Sequence, residues 1–157
     1  MPKLVPPHGS ESVKPLLLIE GERGGERKRA QNLKRIPLDS RAVSDVFMLA
    51  MGAYTPLDGF MGHDDWRGSC ADMKMANGTF WPIPITLPVA KDIADSVAAG
   101  EEVALADAES GDILAVMTVR EKYATDKKLE AEHVYRTLDP KHPGVAKVFA
   151  QGDINLA

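Results

Sequence analysis

The sequence predicts an α+β domain with a small, bent, largely antiparallel sheet or barrel, and three observations carry that expectation. Short apolar runs and short helical stretches follow one another without a regular strand–helix–strand alternation. The stretch from Glu102 to Tyr123 splits at Glu109-Ser110-Gly111-Asp112 into two apolar runs, which is a hairpin pattern. Pro82, Pro84 and Pro88 interrupt the apolar, β-rich run at 79–90, as happens in an edge strand or one broken by bulges.

In chain order, residues 1–15 hold four of the eleven prolines together with His8, Gly9 and two serines, a composition for an extended arm. Leu16 to Ile19, LLLI, is expected to form a first strand. The segment 21–35 carries six basic residues, Arg23, Arg27, Lys28, Arg29, Lys34 and Arg35, against Glu22 and Glu26. Its glycines and alternating charges suggest a solvated turn leading into a polar helix. Ile36-Pro37-Leu38 reads as extended. A helix through 44–51 then has a broad apolar face, with Ser44 as its expected N-cap and Asp39 or Ser40 as the other choices; Gly52 stands at its left-handed end.

The next stretch, Met51 to Gly62, packs Gly52, Gly59, Gly62, a Tyr-Thr-Pro turn and the aromatic residues Tyr54 and Phe60 into MGAYTPLDGFMG. Pro56 presets φ at the turn, while Leu57 and Phe60 can pin the irregular backbone, so an ordered, packed loop is expected. After it, Asp64 or Asp65 can cap a helix carrying Trp66, Cys70 and Met73 at helical spacing as core, with Asn77-Gly78 as its stop. Lys91 to Gly100 suggests a short helix ended by glycine, Asp126 to Tyr135 a charged helix, and Val145 to Ala150 another after a turn at Pro140 and Pro143. Ile154-Asn155-Leu156 closes the described pattern as extended chain. No repeat or linker interrupts these elements, so residues 1–157 are read as one domain.

Composition narrows the function classes. A net charge of −4 argues against a unit made chiefly to hold nucleic acid or an anionic membrane surface. No apolar run approaches membrane-spanning length, and the single Cys70 can form neither an internal disulfide nor a cysteine zinc site, which suits a reducing cytoplasm. The four histidines fall in no metal-binding pattern, GERGG matches no phosphate-loop or dinucleotide fingerprint, and no serine sits in a G-x-S-x-G elbow. Adjacent carboxylates such as Asp64-Asp65 diverge on regular elements and read as surface charge. The residues therefore supply no complete catalytic constellation.

Four segments taken together are more specific: GAYTPLDGFMG at 52–62, WPIPITLPV at 81–89, ILAVMTVREKYATDKKLEAEHVYRTLD at 113–139 and HPGVAKVFAQGDINLA at 142–157. In this order and spacing the chain resembles the N-terminal part of the ATP sulfurylase (sulfate adenylyltransferase) family, from about Leu33 onward. The resemblance implies a PUA-like, distorted β-barrel with short flanking helices. It implies an enzyme that makes adenosine 5′-phosphosulfate and pyrophosphate from ATP and sulfate, or runs the reverse. The family's substrate-binding motifs, Gln-x-Arg-Asn running into His-x-x-His and a later Gly-Arg-Asp, occur nowhere in the chain. A catalytic domain is accordingly expected to follow in a longer protein, and no catalytic, cofactor or metal residue is assigned here. Magnesium is expected only with the ATP phosphates at that catalytic domain.

The role expected of residues 1–157 is to support and orient the catalytic domain and to help build a homo-oligomer. Tyr54, Pro56, Gly59 and Phe60 are its clamp, and Asp139, His142 and Gly144 the second set of structural or interdomain candidates. Asp139 and His142 flank a turn from which they could reach the catalytic cleft. Because PUA-like folds elsewhere bind RNA, the alternative is an RNA-binding module using the basic segment 23–35, chiefly Arg27, Lys28, Arg29, Lys34 and Arg35. Net acidity and the lack of interleaved aromatics count against it.

Overall fold

A computed structural model describes residues 5–157; residues 1–4 of the expected extended arm lie outside the described residues. The elements run α1 (Glu20–Ala30), β1 (Lys34–Leu38), α2 (Ser40–Ala50), α3 (His63–Asp72), β2 (Leu87–Val89), α4 (Lys91–Ser96), β3 (Glu102–Asp107), β4 (Ile113–Thr118), β5 (Lys122–Ala124), α5 (Lys127–Tyr135), α6 (Pro143–Ala150) and β6 (Ile154–Leu156). They gather into two compact units. One comprises the chain up to Gly59 together with Glu102–Thr118, the other Phe60–Glu101 together with Val119–Ala157.

The first unit holds a sheet in the order β1-β3-β4. The expected hairpin is present: β3 pairs antiparallel with β4, with a register shift between Leu105 and Ala106. Its turn is shaped by Asp107, whose carboxylate accepts from Glu109 N and Ser110 Oγ at 3.0 and 2.9 Å and is held below the usual carboxylate range by those bonds. β1 joins the other side of β3 in parallel, pairing Ile36 with Leu105. A central strand is covered on both faces, and Val103 to Ala106 are accordingly all buried. Ala42, Val46 and Leu49, spaced three or four apart on α2, complete this core.

Several boundaries differ from expectation for local reasons. Asp39, not Ser44, caps α2: its Oδ1 accepts from Ala42 N at 2.8 Å, while Ser44 Oγ donates back to Ser40 O inside the helix. Leu16 to Ile19 is extended but forms no ladder, and its side chains are exposed. The basic segment is helical through its glycines, from Glu20 to Ala30, and of its residues only Ala30 is buried. Each of Gly21, Gly24 and Gly25 costs such a helix about 0.5–1 kcal/mol relative to alanine. Arg29 offsets part of this by tying α1 to β3, donating to Glu102 Oε2 at 2.5 Å while its other nitrogens hold Glu26.

The second unit holds a sheet in the order β2-β6-β5, antiparallel throughout, with β6 in the centre. Of the long proline-rich run only Leu87–Val89 becomes strand. Pro88 lies in an edge strand, where its missing N–H leaves the fewest ladder bonds unmade. Trp66 and Cys70 on α3 are core as expected, but Met73 is exposed, because it is the left-handed residue that ends the helix at φ 54°. Gly62, not Asp64 or Asp65, occupies the N-cap of α3; the Asp65 carboxylate instead accepts from Ala76 N at 2.8 Å. Asn77-Gly78 forms a tight turn between Met75 and Thr79 beyond the helix rather than its stop. α4 ends at Ser96, ahead of Gly100. Asp126 caps α5 through Lys128 N and Leu129 N, and α6 begins two residues before Val145 with Pro143 in its first turn.

Candidate functional site

The twelve-residue loop after α2 divides between the units at Gly59. In the first unit it is a clamp with a buried polar centre. Tyr54 Oη donates to Asp45 Oδ1 of α2 at 2.9 Å, and Thr55 Oγ1 donates to Gly52 O at 2.7 Å while accepting from Lys14 N at 2.9 Å. Pro56 follows a cis peptide bond. Of the three loop glycines only Gly52 takes a positive φ, 79°. A side chain there would also strike the arm, with a Cβ 2.6 Å from Val13 Cγ1 and 2.9 Å from Pro15 N.

Burial raises the Asp45 carboxyl above its ordinary range against the opposing pull of Tyr54 and of Arg41 3.9 Å away, and Asp45 Oδ2 has no hydrogen-bond partner. Burial, and next the bond to Asp45, push the Tyr54 hydroxyl up to about 12, so it remains a donor at any ordinary pH. A carboxyl whose folded pKa lies above its unfolded value is penalised as it ionises: the penalty is absent below about pH 3.9 and fully present above the folded pKa. Tyr54→Phe removes the bond that lowers this pKa and enlarges the penalty. The variant is expected to lose about 1–3 kcal/mol at neutral pH but little at pH 3, measured as urea unfolding at the two pH values. An equal loss at both would refute the assignment.

In the second unit Phe60 is buried, 3% exposed, and its neighbour Met61 is fixed from both sides: Met61 N donates to Ile85 O, and Met61 O accepts from Tyr123 Oη at 2.8 Å. Gly62 admits Glu121, whose Oε2 would lie 2.7 Å from a Cβ there and accepts from His63 N at 3.0 Å. Asp139, His142 and Gly144 lie around the α5–α6 turn. The Asp139 carboxylate accepts from Lys141 N at 2.9 Å and its carbonyl from His142 N at 3.0 Å. The His142 ring lies against Tyr135, centroids 5.2 Å apart, and Gly144 makes room for the same ring. Tyr135 thus joins His142 and Gly144 into one contact between α5 and α6, while Asp139 closes the turn beside it.

Around the expected core residues Trp66 and Cys70 this unit gathers partners that the sequence did not mark. Trp66, Cys70, Tyr123 and Ala157 pack together with Leu129 and Val134, and Trp66 Nε1 donates to Glu130 Oε2 at 2.9 Å with the glutamate only 2% exposed. Burial pushes the Cys70 thiol up to about 12, reinforced by the nearby Glu130 charge, so the sulfur is a protonated packing atom rather than a nucleophile. The sequence reads α5 as a charged helix, and the indole N–H of Trp66 is a partner that one of its glutamates meets inside. Among the described residues no group of three His, Cys, Asp or Glu side chains is placed to hold a metal ion, and no helix is long and apolar enough to cross a membrane. Among the described residues these contacts clamp, cap and pack.

A chain of short helices and two small sheets held by such clamps is a member of the PUA-like domain family, whose model matches residues 5–157. The chain is 54% identical over 155 residues to the sulfate adenylyltransferase of Chlorobium chlorochromatii and 55% to that of Chlorobaculum tepidum, in each case along 98% of this chain and 38% of the relative. The Syntrophobacter fumaroxidans sulfate adenylyltransferase matches at 54% over the whole chain and 39% of its own length. The chain thus spans under two fifths of these relatives, in their N-terminal part. A solved structure described as a hexameric APS kinase from Thiobacillus denitrificans aligns with TM-score 0.68 and 30% identity, over 78% of this chain and 24% of that one.

Proposed function

We propose that this chain is the PUA-like N-terminal domain of a sulfate adenylyltransferase, supporting a catalytic domain that interconverts ATP and sulfate with adenosine 5′-phosphosulfate and pyrophosphate in the cytoplasm. The observation that carries the reading is identity of 54–55% sustained along 98% of the chain to enzymes of that name. The clamps around Tyr54 and Tyr135 suit a rigid support, since positioning needs fixed geometry rather than reactive groups. Mg-ATP and sulfate then belong to the catalytic domain, and Asp139 and His142, exposed at the α5–α6 turn, are the residues here that could face it. The hexameric description of the structural neighbour supports a homo-oligomer. Arg29, at the centre of the basic segment, is already held by two carboxylates, which leaves less free charge for an RNA backbone.

The test is ATP formation from adenosine 5′-phosphosulfate and pyrophosphate, measured on the product of the complete gene and on residues 1–157 alone. Turnover is expected from the first and not the second. Turnover by residues 1–157 would overturn the supporting role, and none from the complete product would overturn the activity.

A further inference from the structure

The Asn77-Gly78 pair, which the sequence marks as a helix stop, sits at the tip of a tight hairpin beyond α3. Gly78 N donates to Met75 O and Met75 N to Thr79 O, both at 2.8 Å, and Trp81 N donates to Met73 O at 2.8 Å. Lys74 and Phe80 pair across the hairpin as an antiparallel bridge. Asn77 closes the tip with its own side chain, Oδ1 accepting from Thr79 N at 2.9 Å, and Gly78 takes a φ of 85°. The tip is open to solvent: Ala76, Asn77 and Gly78 are all exposed, and a Cβ on Gly78 would meet no atom within 4 Å. The sequence contains three asparagines, and the other two, Asn32 and Asn155, are each followed by leucine.

We propose that Asn77 is a site of spontaneous covalent modification, deamidation through attack of the Gly78 backbone nitrogen on the Asn77 side-chain amide. The nitrogen gives its proton to solvent hydroxide and bonds to Cγ of Asn77. The amide C–N bond breaks, ammonia leaves with a proton from water, and a succinimide ring remains. Water then opens the ring: cleavage between Cγ and the Gly78 nitrogen gives aspartate, and cleavage at the main-chain carbonyl gives isoaspartate. The net change exchanges an amide nitrogen for a water oxygen and needs no oxidant or cofactor. Glycine adds no side chain to crowd the ring, as leucine does after the other two asparagines. The Thr79 N–H draws charge onto Oδ1 and leaves Cγ more open to attack. The tip also carries a restraint, because Gly78 N is engaged by Met75 O and has to leave it before it can attack, which requires local opening. Asp65 holds the tip closed from α3, its Oδ1 accepting from Ala76 N at 2.8 Å. The site therefore reacts at a rate set by how often the hairpin opens. Isoaspartate would lengthen the main chain at the tip by one methylene, so the Met75 N to Thr79 O bond would lose its spacing.

The test ages the full-length protein at mildly alkaline pH and follows the tryptic peptide 75–91, which holds one asparagine and no glutamine, by mass spectrometry. A product heavier by about 1 Da is expected to accumulate with time and faster at higher pH, part of it accepting a methyl group from a protein isoaspartyl methyltransferase. Asp65→Ala should speed its formation about fivefold, the change in open population that loss of one hydrogen bond produces. Asp65→Asn keeps an acceptor for Ala76 N and should stay near the wild-type rate. Asp64→Ala takes the same charge from the same turn of α3 without touching the tip, and should leave the rate unchanged. A wild-type peptide that gains no mass, or gains it no faster than the segments holding Asn32 and Asn155, overturns the proposed site. Equal rates in Asp65→Ala and wild type, or an equal rise in Asp64→Ala, overturn the control by the hairpin. If Asp65→Ala fails to fold, the comparison of the three asparagines in the wild type decides alone.

Discussion

Replacing Trp66 with alanine is expected to destabilise the protein by about 3–5 kcal/mol, a large part of the roughly 5–15 kcal/mol that holds an ordinary domain folded. The indole is 2% exposed and central to the packing of Cys70, Tyr123 and Ala157, so truncation opens a cavity that the α3 and α5 backbones close only in part. Truncation also removes a donor to the buried Glu130 carboxylate. The two terms separate experimentally. Trp66→Phe keeps most of the volume and loses only the N–H, and should cost about 1–3 kcal/mol. In a cycle with Glu130→Leu the two changes should be less costly together than the sum of each alone, because the leucine needs no donor. Urea unfolding followed by far-ultraviolet circular dichroism reads every variant. A Trp66→Ala midpoint close to that of wild type would contradict the packing described.

How far such contacts could be read from the sequence depends on how local their causes are. The β3–β4 hairpin, the charged helix ending at Tyr135 and the left-handed Gly52 follow from residues a few positions apart, and each is found where the residues place it. The clamp loop was legible as an ordered corner because its glycines, proline and aromatics are contiguous. The partners of that loop were not. Nothing near Tyr54 marks Asp45 as its acceptor, and nothing near Gly52 shows that an arm some forty residues upstream presses on it. Leu16 to Ile19 failed as a strand for the complementary reason: β propensity describes a residue's fit to a neighbouring strand, and the structure supplies none there. Glu130 shows the same limit, since the indole it accepts from lies sixty-four positions away. The family could be recognised from four segments in order. The tasks of individual residues inside it required coordinates.

Gly152 gives the second large effect, through backbone alone. A Cβ at this position would stand 2.1 Å from Val89 O and 2.2 Å from Val89 C, far inside contact distance, and both atoms belong to β2. No side-chain rotation relieves that overlap, so β2 or the start of β6 has to move, and with it the pairing of Val89 with Ile154 and of Leu87 with the wholly buried Leu156. Gly152→Ala is therefore expected to cost about 3 kcal/mol, at the upper end of what overpacking produces. Gly144→Ala offers a graded comparison. There the obstacle is the Tyr135 ring, a side chain that is only partly buried, so a smaller loss of about 1–2 kcal/mol should be largely recovered by Tyr135→Ala. Gly24→Ala should have the opposite sign, gaining about 0.5–1 kcal/mol, because its Cβ meets nothing within 4 Å in the middle of a helix. Chemical denaturation orders the three. In the complete enzyme the same Gly152 change should shorten the half-life at elevated temperature while leaving KM near the wild-type value, since a supporting element fails by letting go of its geometry. A raised KM in a variant of undiminished stability would instead place this strand at the substrates and overturn the supporting role proposed for the domain.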